Sequence, residues 1–357
     1  MSEARERVLV ALSGGVDSSV AAALLHEQGH EVVGVTLHLW DASAEQMVGR
    51  CCSPEDREDA RLTCDALGIP HYVLDEREAF RREVVEPFLD AYRAGETPSP
   101  CVHCNRTVKL VHLAALAERF GCARVATGHY ARLEPGDGGP RLRAGRDQAK
   151  DQSYFLFGVP RAVLAKMVFP LGGMTKDVVR AEGRRLGVPN ADKADSQELC
   201  FVPDGDVAGF VRRERGPGRP GRLIGEDGAA LADHAGVEAF TIGQRRGLGL
   251  GGGPPRYVLR IVGDDVVVGD ASGLSGTRLV ARDARWIAGE PPAASFEAAV
   301  RIRHRHRPAP ARVTPLPDAA GGGFEVVFRE PQRALTPGQA AVVYRGDEVL
   351  GGGFIDA

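Results

Sequence analysis

Three groups of side chains in this 357-residue chain are spaced for chemistry. The first follows the apolar run Val8-Leu9-Val10-Ala11-Leu12. It reads Ser13-Gly14-Gly15-Val16-Asp17-Ser18-Ser19 and leads into an alanine- and leucine-rich stretch. An apolar run, two glycines and then helix formers spell a buried strand, a tight turn and a helix N-terminus. The first amides of that helix point outward without partners, and the serines add hydroxyl donors. Ala11, Leu12, Ser13, Gly14, Gly15, Val16 and Ser18 therefore form an anion site. No Gly-Lys-Ser/Thr closes the turn, which excludes a Walker A loop. Asp17 is an acid inside an anion site, so it is read as a magnesium ligand or as a residue that orders the loop.

The second group is a pair of thiols. Thr97-Pro98-Ser99-Pro100-Cys101-Val102-His103-Cys104-Asn105 reads as a rigid, extended loop because of its prolines. A helix is expected from about Arg106 to Phe120. Cys104 then lies beside a helix N-terminus, where the dipole lowers a thiol's pKa and raises its thiolate fraction. Cys200, in Asp195-Ser196-Gln197-Glu198-Leu199-Cys200-Phe201, is a second candidate thiol. Cys-x-x-Cys alone fits a redox pair, half a zinc site or two cluster ligands. There is no second Cys-x-x-Cys and no histidine at finger spacing, which argues against structural zinc. Cys51, Cys52, Cys64 and Cys122 are read as structural or left unassigned.

The third group is Val300-Arg301-Ile302-Arg303-His304-Arg305-His306-Arg307, read as one strand. With period two, its four arginines share a face. Stacked guanidinium groups repel one another unless an anion covers them. RNA phosphate is the expected cover, and arginine or histidine also stacks on an unpaired base.

Stepping outward, these groups need three supports. Glu31–Leu39, His71–Asp75 and Ala123–Ala126 read as further buried strands alternating with helices. One such helix starts at Ser53-Pro54-Glu55-Asp56, with Ser53 as N-cap. Alternation of this kind implies an α/β domain with a parallel sheet, whose ligands sit at the carboxyl ends of the strands. This domain is placed at 1–203. A small, mostly β adapter rich in Arg, Gly and Pro turns is expected at 204–277, and a C-terminal β-barrel at 278–357. Pro135 to Pro140 reads as a hairpin turn. The helix Thr175–Leu186 carries Lys176, Arg180, Arg184 and Arg185, read mainly as a solvated face.

Composition bounds the rest. Hydrophobic residues make up 43% of the chain and charged residues 26%, with a net charge of −3, so any nucleic-acid surface must be local. No apolar run approaches the roughly 20 residues of a membrane span, and the first residues form no signal peptide. A cytoplasmic location is expected. Seven cysteines is an odd count for a disulfide framework and favours working thiols.

The loop SGGVDSS resembles the pyrophosphate loop of the PP-loop ATP pyrophosphatases, which cleave ATP between its α and β phosphates. Taken with CCSPED, TPSPCVHCN, TGHYAR, KDQSYFL, DSQELCFVP and GQRRGLG at 243–249, the chain resembles the tRNA-specific 2-thiouridylase family over nearly its whole length. The resemblance implies that ATP with Mg²⁺ adenylates the 2-oxygen of the wobble uridine of tRNA, which sulfur from a cysteine persulfide then replaces. It implies that Cys200 carries the persulfide and that Cys104 is the nucleophile. A transient Cys104–Cys200 disulfide would then close the turnover. Leu37 and Gly128 match adenosine-contacting positions. Ser99, Pro100 and Cys101 match the walls of the base pocket, and Lys150, Asp151 and Gln152 match tRNA contacts. Arg303 and His304 fall where the family holds the anticodon loop. The implied partners are tRNA and a persulfide donor, such as a cysteine desulfurase or a relay protein. A second mechanism uses Cys101, Cys104 and Cys200 as ligands of an iron–sulfur cluster with one open iron. Two other classes fit part of the chain. A ligase adenylating a small carbonyl leaves the thiols idle, and a non-enzymatic RNA-binding module leaves the anion loop idle.

Overall fold

A computed structural model of the chain describes residues 5–41, 54–195, 199–202, 204–251, 253–317 and 322–356. Cys51, Cys52, Ser53, Ser196, Gln197 and Glu198 lie outside the described residues.

The alternating apolar runs build one parallel sheet. Its strands are β1 (Arg7–Ala11), β2 (Glu31–His38), β3 (His71–Asp75), β4 (Arg124–Ala126) and, after the hairpin β5 (Ala131–Glu134) and β6 (Arg141–Ala144), β7 (Met167–Val168). The order is β3-β2-β1-β4-β7. The chain steps outward in one direction from β1 to β3, then returns to β1's other side with β4. The crevice at such a reversal lies outside the carboxyl ends of β1 and β4. Leu9 and Val10 are fully buried in the middle of this sheet. Helix α1 (Val16–Glu27) lies against it through Ala22 and Leu25, which share an apolar cluster with Val8, Val10 and Val32, while Val20 and Ala21 pack on its other side against Tyr130, Leu171 and Val179. Small side chains let this helix sit close to the strands without a polar face reaching the core. Helix α2 (Pro54–Leu67) brings Ala60, Thr63 and Cys64 onto the same layer.

The middle region forms a second sheet from β8 (Gly221–Gly225), β9 (Ala230–His234), β10 (Tyr257–Val262) and β11 (Asp265–Gly269), in the order β10-β11-β8-β9. The C-terminal region is antiparallel: β12 (Ser275–Trp286), β13 (Phe296–Arg301), β14 (Ala309–Leu316), β15 (Gly323–Arg333), β16 (Ala340–Arg345) and β17 (Glu348–Ile355). Pairing of β12 with both β15 and β17 closes these six strands into a barrel. Closure removes the free edges that an open sheet would present. The α/β domain followed by a small β region and a C-terminal barrel is thus the architecture expected.

One expectation changes and another gains a detail. The arginine-rich segment is not one strand: β13 ends at Arg301, and a turn follows in which His306 N–H donates to Arg303 O at 3.0 Å. Period two therefore stops at Arg301, which is 8% exposed, while Arg303, Arg305 and Arg307 face solvent. The hairpin β5–β6 is present, yet it does not end in the first domain. Its strand β6 pairs with β17, Leu142 opposite Val349, and so extends the barrel sheet. Among the described residues no helix is long and apolar enough to cross a membrane.

Candidate active site

The anion loop occupies the crevice at the sheet's reversal. Leu12 N–H bonds Val35 O of β2 at 2.7 Å, Gly14 turns at φ 73°, and Gly15 caps α1. A Cβ on Gly14 would stand 2.1 Å from the Asp56 carbonyl oxygen of α2, so only glycine fits there. Ser18 Oγ donates to Gly15 O at 3.0 Å and accepts from Ser13 N–H at 3.1 Å, which closes the turn on itself. Behind it, a Cβ on Gly128 would lie 2.7 Å from Ser18 N. The turn after β4 therefore packs directly on the first turn of α1. Leu37, at the end of β2, is half-buried on the neighbouring strand.

A set of paired charges surrounds this loop. Asp17 takes Lys176 Nζ at 2.8 and 2.9 Å and the Tyr130 hydroxyl at 2.7 Å. Lys176 also pairs with Asp195 at 2.7 Å, and Lys150 Nζ donates to the other oxygen of Asp195 at 2.6 Å. Arg180 reaches the same carboxylate at 3.2 Å. Burial alone would raise the Asp195 pKa, but hydrogen bonds and charge from Lys150 and Lys176 hold it below the usual carboxylate range. On the other side, Lys193 Nζ bonds Asp56 at 2.6 Å, Asp59 at 2.5 Å and Gly14 O at 3.1 Å. Lys176 is thus no part of a solvated face, being only 8% exposed. Its helix (Lys176–Arg185) is amphipathic in an unexpected sense, with a cation turned inward to meet two carboxylates. Of the two readings of Asp17, the geometry matches loop ordering. Its carboxylate is already held by Lys176 and Tyr130.

The cysteine segment departs from expectation in a useful way. The helix begins at Pro100, not Arg106: an α-helical turn (Pro100–His103) passes through a π-helical stretch (Cys104–Lys109) into Leu110–Arg119. Wide turns of this type re-aim side chains and recur at functional sites. Cys104 sits inside the helical run, 7% exposed, and packs in one apolar cluster with Phe88, Leu89, Val108 and Phe201. Burial pushes its thiol pKa up, opposed by the Lys109 charge, so the expected depression by a helix terminus does not hold. Cys200 is half-buried and packs against the same cluster. Both candidate thiols therefore border one dry region, whereas Cys101 is exposed. Among the described residues, no group of three or more His, Cys, Asp or Glu is placed to hold a metal ion.

Ser99 is 7% exposed and Pro100 is buried at the start of this helix. The preceding loop is tied to the barrel: Thr97 N–H donates to Pro337 O at 3.0 Å, and Gln339 Nε2 to Thr97 O at 2.8 Å. His103 stacks on Phe354 of β17 at 4.6 Å, and burial lowers its pKa to about 4. Arg106 reaches Asp283 of β12 at 2.6 Å.

The residues matched to tRNA contacts divide. Lys150 and Arg303 keep exposed side chains. Asp151 is 2% exposed; its carboxylate pairs with Arg301 of β13 at 2.7 Å and accepts from the amides of Gly145 and Ser153. His304 Nε2 donates to Asp151 O at 3.0 Å, and its ring lies 4.5 Å from that of Phe155. Gln152 Oε1 accepts from Tyr130 N–H. Asp151, Gln152 and His304 thus fasten the first domain internally and to the barrel, a structural task that the motif did not disclose. Lys176, Lys193, Asn190 and Tyr130 are the site residues that sequence reasoning missed. The sequence does hold signals: Tyr130 lies within TGHYAR, Lys176 is named but read with the solvated face, and Asn190 and Lys193 lie close to DSQELC.

Residues 6–204 match the family described as tRNA methyl transferase HUP domain, 209–270 the tRNA methyl transferase PRC-barrel domain, and 276–355 the aminomethyltransferase beta-barrel domain. The tRNA-specific 2-thiouridylase MnmA of Sorangium cellulosum is 51% identical over 357 residues, covering 98% of this chain and 92% of that protein. The protein of the same name from Geobacter metallireducens is 47% identical, covering 99% and 98%. That from Acidithiobacillus ferrooxidans is 47% identical, covering 99% of each. With identity of this extent along nearly the full length, the chain belongs to the tRNA-specific 2-thiouridylase family.

Proposed function

We propose that the protein is an ATP-dependent tRNA 2-thiouridylase acting in the cytoplasm. The observation that supports this reading most is that one domain carries both a loop shaped for pyrophosphate, just past the carboxyl end of β1, and two thiols, Cys104 and Cys200, at the apolar cluster that Leu39, just past β2, also joins. Neither a ligase nor an RNA-binding module uses both. The residue ranges 1–203, 204–277 and 278–357 serve as catalytic, adapter and tRNA-holding regions.

The chemistry has two stages. Oxide does not leave a carbonyl carbon, so the 2-oxygen of the wobble uridine first attacks the α-phosphorus of ATP. The P–O bond to the β-phosphate breaks, and pyrophosphate departs into the amides and hydroxyls of Ser13 to Ser18. Leu37 and Gly128 flank the adenosine. Magnesium would accompany the ATP phosphates and neutralise their charge, and among the described residues no group of three or more His, Cys, Asp or Glu is placed to hold it. In the second stage a donor protein leaves a persulfide on Cys200. The Cys104 thiolate attacks the inner sulfur, forming the Cys104–Cys200 disulfide and expelling hydrosulfide. Hydrosulfide adds to carbon 2, and AMP leaves with the former oxygen. A two-electron reduction by a cellular dithiol restores both thiols. In the alternative order, the Cys104 thiolate attacks the activated carbon and AMP leaves; the outer persulfide sulfur of Cys200 then displaces Cys104 from carbon 2, and the freed Cys104 thiolate cleaves that S–S bond, leaving 2-thiouridine and the Cys104–Cys200 disulfide. Ser99, Pro100 and Cys101 wall the base, Arg303 meets the RNA backbone, and Lys150, Asp151, Gln152 and His304 frame the approach.

Nucleoside mass spectrometry of tRNA incubated with ATP and a persulfide donor tests this. 2-Thiouridine is expected with the wild type, lost in Cys104→Ser and Cys200→Ser, and retained in Cys101→Ser. Loss in all three restores the cluster mechanism. No thiouridine from the wild type with an active donor sinks the reading.

A further inference from the structure

The Gly14–Gly15 peptide is the weakest part of the anion loop. With no Cβ on either side, this peptide plane can rotate at little steric cost. Its carbonyl and N–H point in opposite directions, as in any trans peptide. One orientation offers the pyrophosphate the Gly15 N–H; the other offers it the Gly14 carbonyl oxygen, which repels an anion. Something must choose between them.

Two side chains do so. Asn190 Nδ2 donates to Gly14 O at 2.9 Å, and Lys193 Nζ donates to the same oxygen at 3.1 Å. Asn190 is 8% exposed, and its Oδ1 is buried without a hydrogen-bond partner. A buried amide with an unmet acceptor is unfavourable for stability. That cost is tolerated at a position where the donor has work to do. Lys193 is itself fixed, because its remaining bonds go to Asp56 and Asp59. We infer that Asn190 and Lys193 are positioning residues that clasp the Gly14 carbonyl and thereby turn the Gly15 N–H toward the departing pyrophosphate. Both lie in the stretch leading to Asp195 and Cys200, so the loop that holds ATP is set by the segment that carries the sulfur thiol.

The inference rests on the ATP-using reading above, and its test separates the two. Calorimetric titration of the full chain with inorganic pyrophosphate and, separately, with AMP is compared for wild type, Asn190→Leu and Lys193→Met, alongside thermal melts. Asn190→Leu removes the donor together with the unpaired oxygen, so it is expected to melt no lower than wild type while pyrophosphate binding weakens about tenfold, the loss of one hydrogen bond to an anion. AMP binding is expected to stay within about twofold, because the clasp acts on the pyrophosphate amide alone. Lys193→Met is expected to show the same split, and Asn190→Leu carries the test should that variant not fold. Unchanged pyrophosphate binding in Asn190→Leu, or equal weakening of pyrophosphate and AMP, overturns the clasp. A wild type that binds neither ligand withdraws the ATP reading together with it.

Discussion

The anion loop and the cysteine helix belong to one α/β domain but are built on opposite electrostatic plans. Around the loop, charge is dense and paired: Asp17 with Lys176, Asp195 with Lys176 and Lys150, Lys193 with Asp56 and Asp59. Around Cys104 the neighbours are apolar, and burial holds the thiol in its neutral form. On the proposed function, the difference follows the two stages of the chemistry. Pyrophosphate carries its charge away, so its site must hold oriented dipoles and cations before the reaction begins. Sulfur transfer must keep water from a reactive carbon, so its site is dry and pays with a less ionised thiol. One enzyme then needs both environments side by side without letting either leak into the other.

The comparison is broken most severely at Lys176. Lys176→Met leaves Asp17 with only the Tyr130 hydroxyl as a partner, while Asp195 keeps Lys150 and Arg180. Removing one partner of a buried ion pair costs about 3–5 kcal/mol. TRNA-dependent pyrophosphate release is expected to fall by at least about a hundredfold, with a lower denaturant midpoint, while Cys104 alkylation in the folded fraction is unchanged. Parallel loss of thiol protection would mean that the two environments are not independent.

A comparable loss of stability, with a smaller effect on ATP chemistry, is expected from Arg301→Met. It strands the Asp151 carboxylate, which is 2% exposed, at a cost of about 3 kcal/mol. Urea unfolding followed by Trp286 fluorescence reads it, since that indole lies in the barrel. An unaltered midpoint would deny the pair its fastening role. Asp151→Asn in the Arg301→Met background should recover part of the loss, because the unpaired charge is then gone.

The dry side is probed by pH. Because burial raises the Cys104 pKa above its ordinary value of 9.0, less thiolate exists at neutral pH than for a free cysteine. Alkylation of Cys104 by iodoacetamide is expected to be slower than that of exposed Cys101 at pH 7.5, and to keep rising with pH beyond 9. Peptide mass spectrometry over a pH series measures both. Saturation below pH 8 would show that a cation, not burial, controls this thiol.

The smallest effect belongs to the barrel surface. Arg303→Ala is expected to weaken tRNA binding and to reduce the slope of log affinity against log salt by about one contact. An unchanged slope would remove Arg303 from the phosphate-facing surface and leave the exposed Arg305 and Arg307 to carry it.

Legibility followed the range of the interactions. The strand, glycine turn and helix at 8–27 were readable because neighbouring residues decide them: an apolar run, a position at φ 73° and a string of helix formers. The order of the motifs was enough to identify the family, and the alternation of strands and helices was enough to foresee a parallel sheet. The arginine-rich segment misled because period two was carried past Arg301, where Arg301 leaves the surface to meet Asp151 and the chain turns. The cysteine helix misled because Pro100 was read as stiffening a loop, whereas it occupies the first helical position, where its missing N–H costs nothing.

The sequence by itself determined the chemistry on offer: which loop receives an anion, which thiols are candidates, and which three regions carry them. The tertiary structure alone decided how each group is tuned. Lys176 meets Asp17 across 159 positions, Asn190 meets Gly14 across 176, and Arg301 meets Asp151 across 150. Contacts of that range leave no periodicity in the chain, because each partner's local pattern is satisfied equally well by a solvent-facing lysine or arginine. Only when the sheet, the helix Lys176–Arg185 and the barrel close upon one another does burial turn those surface charges into the groups that set the loop and join the domains.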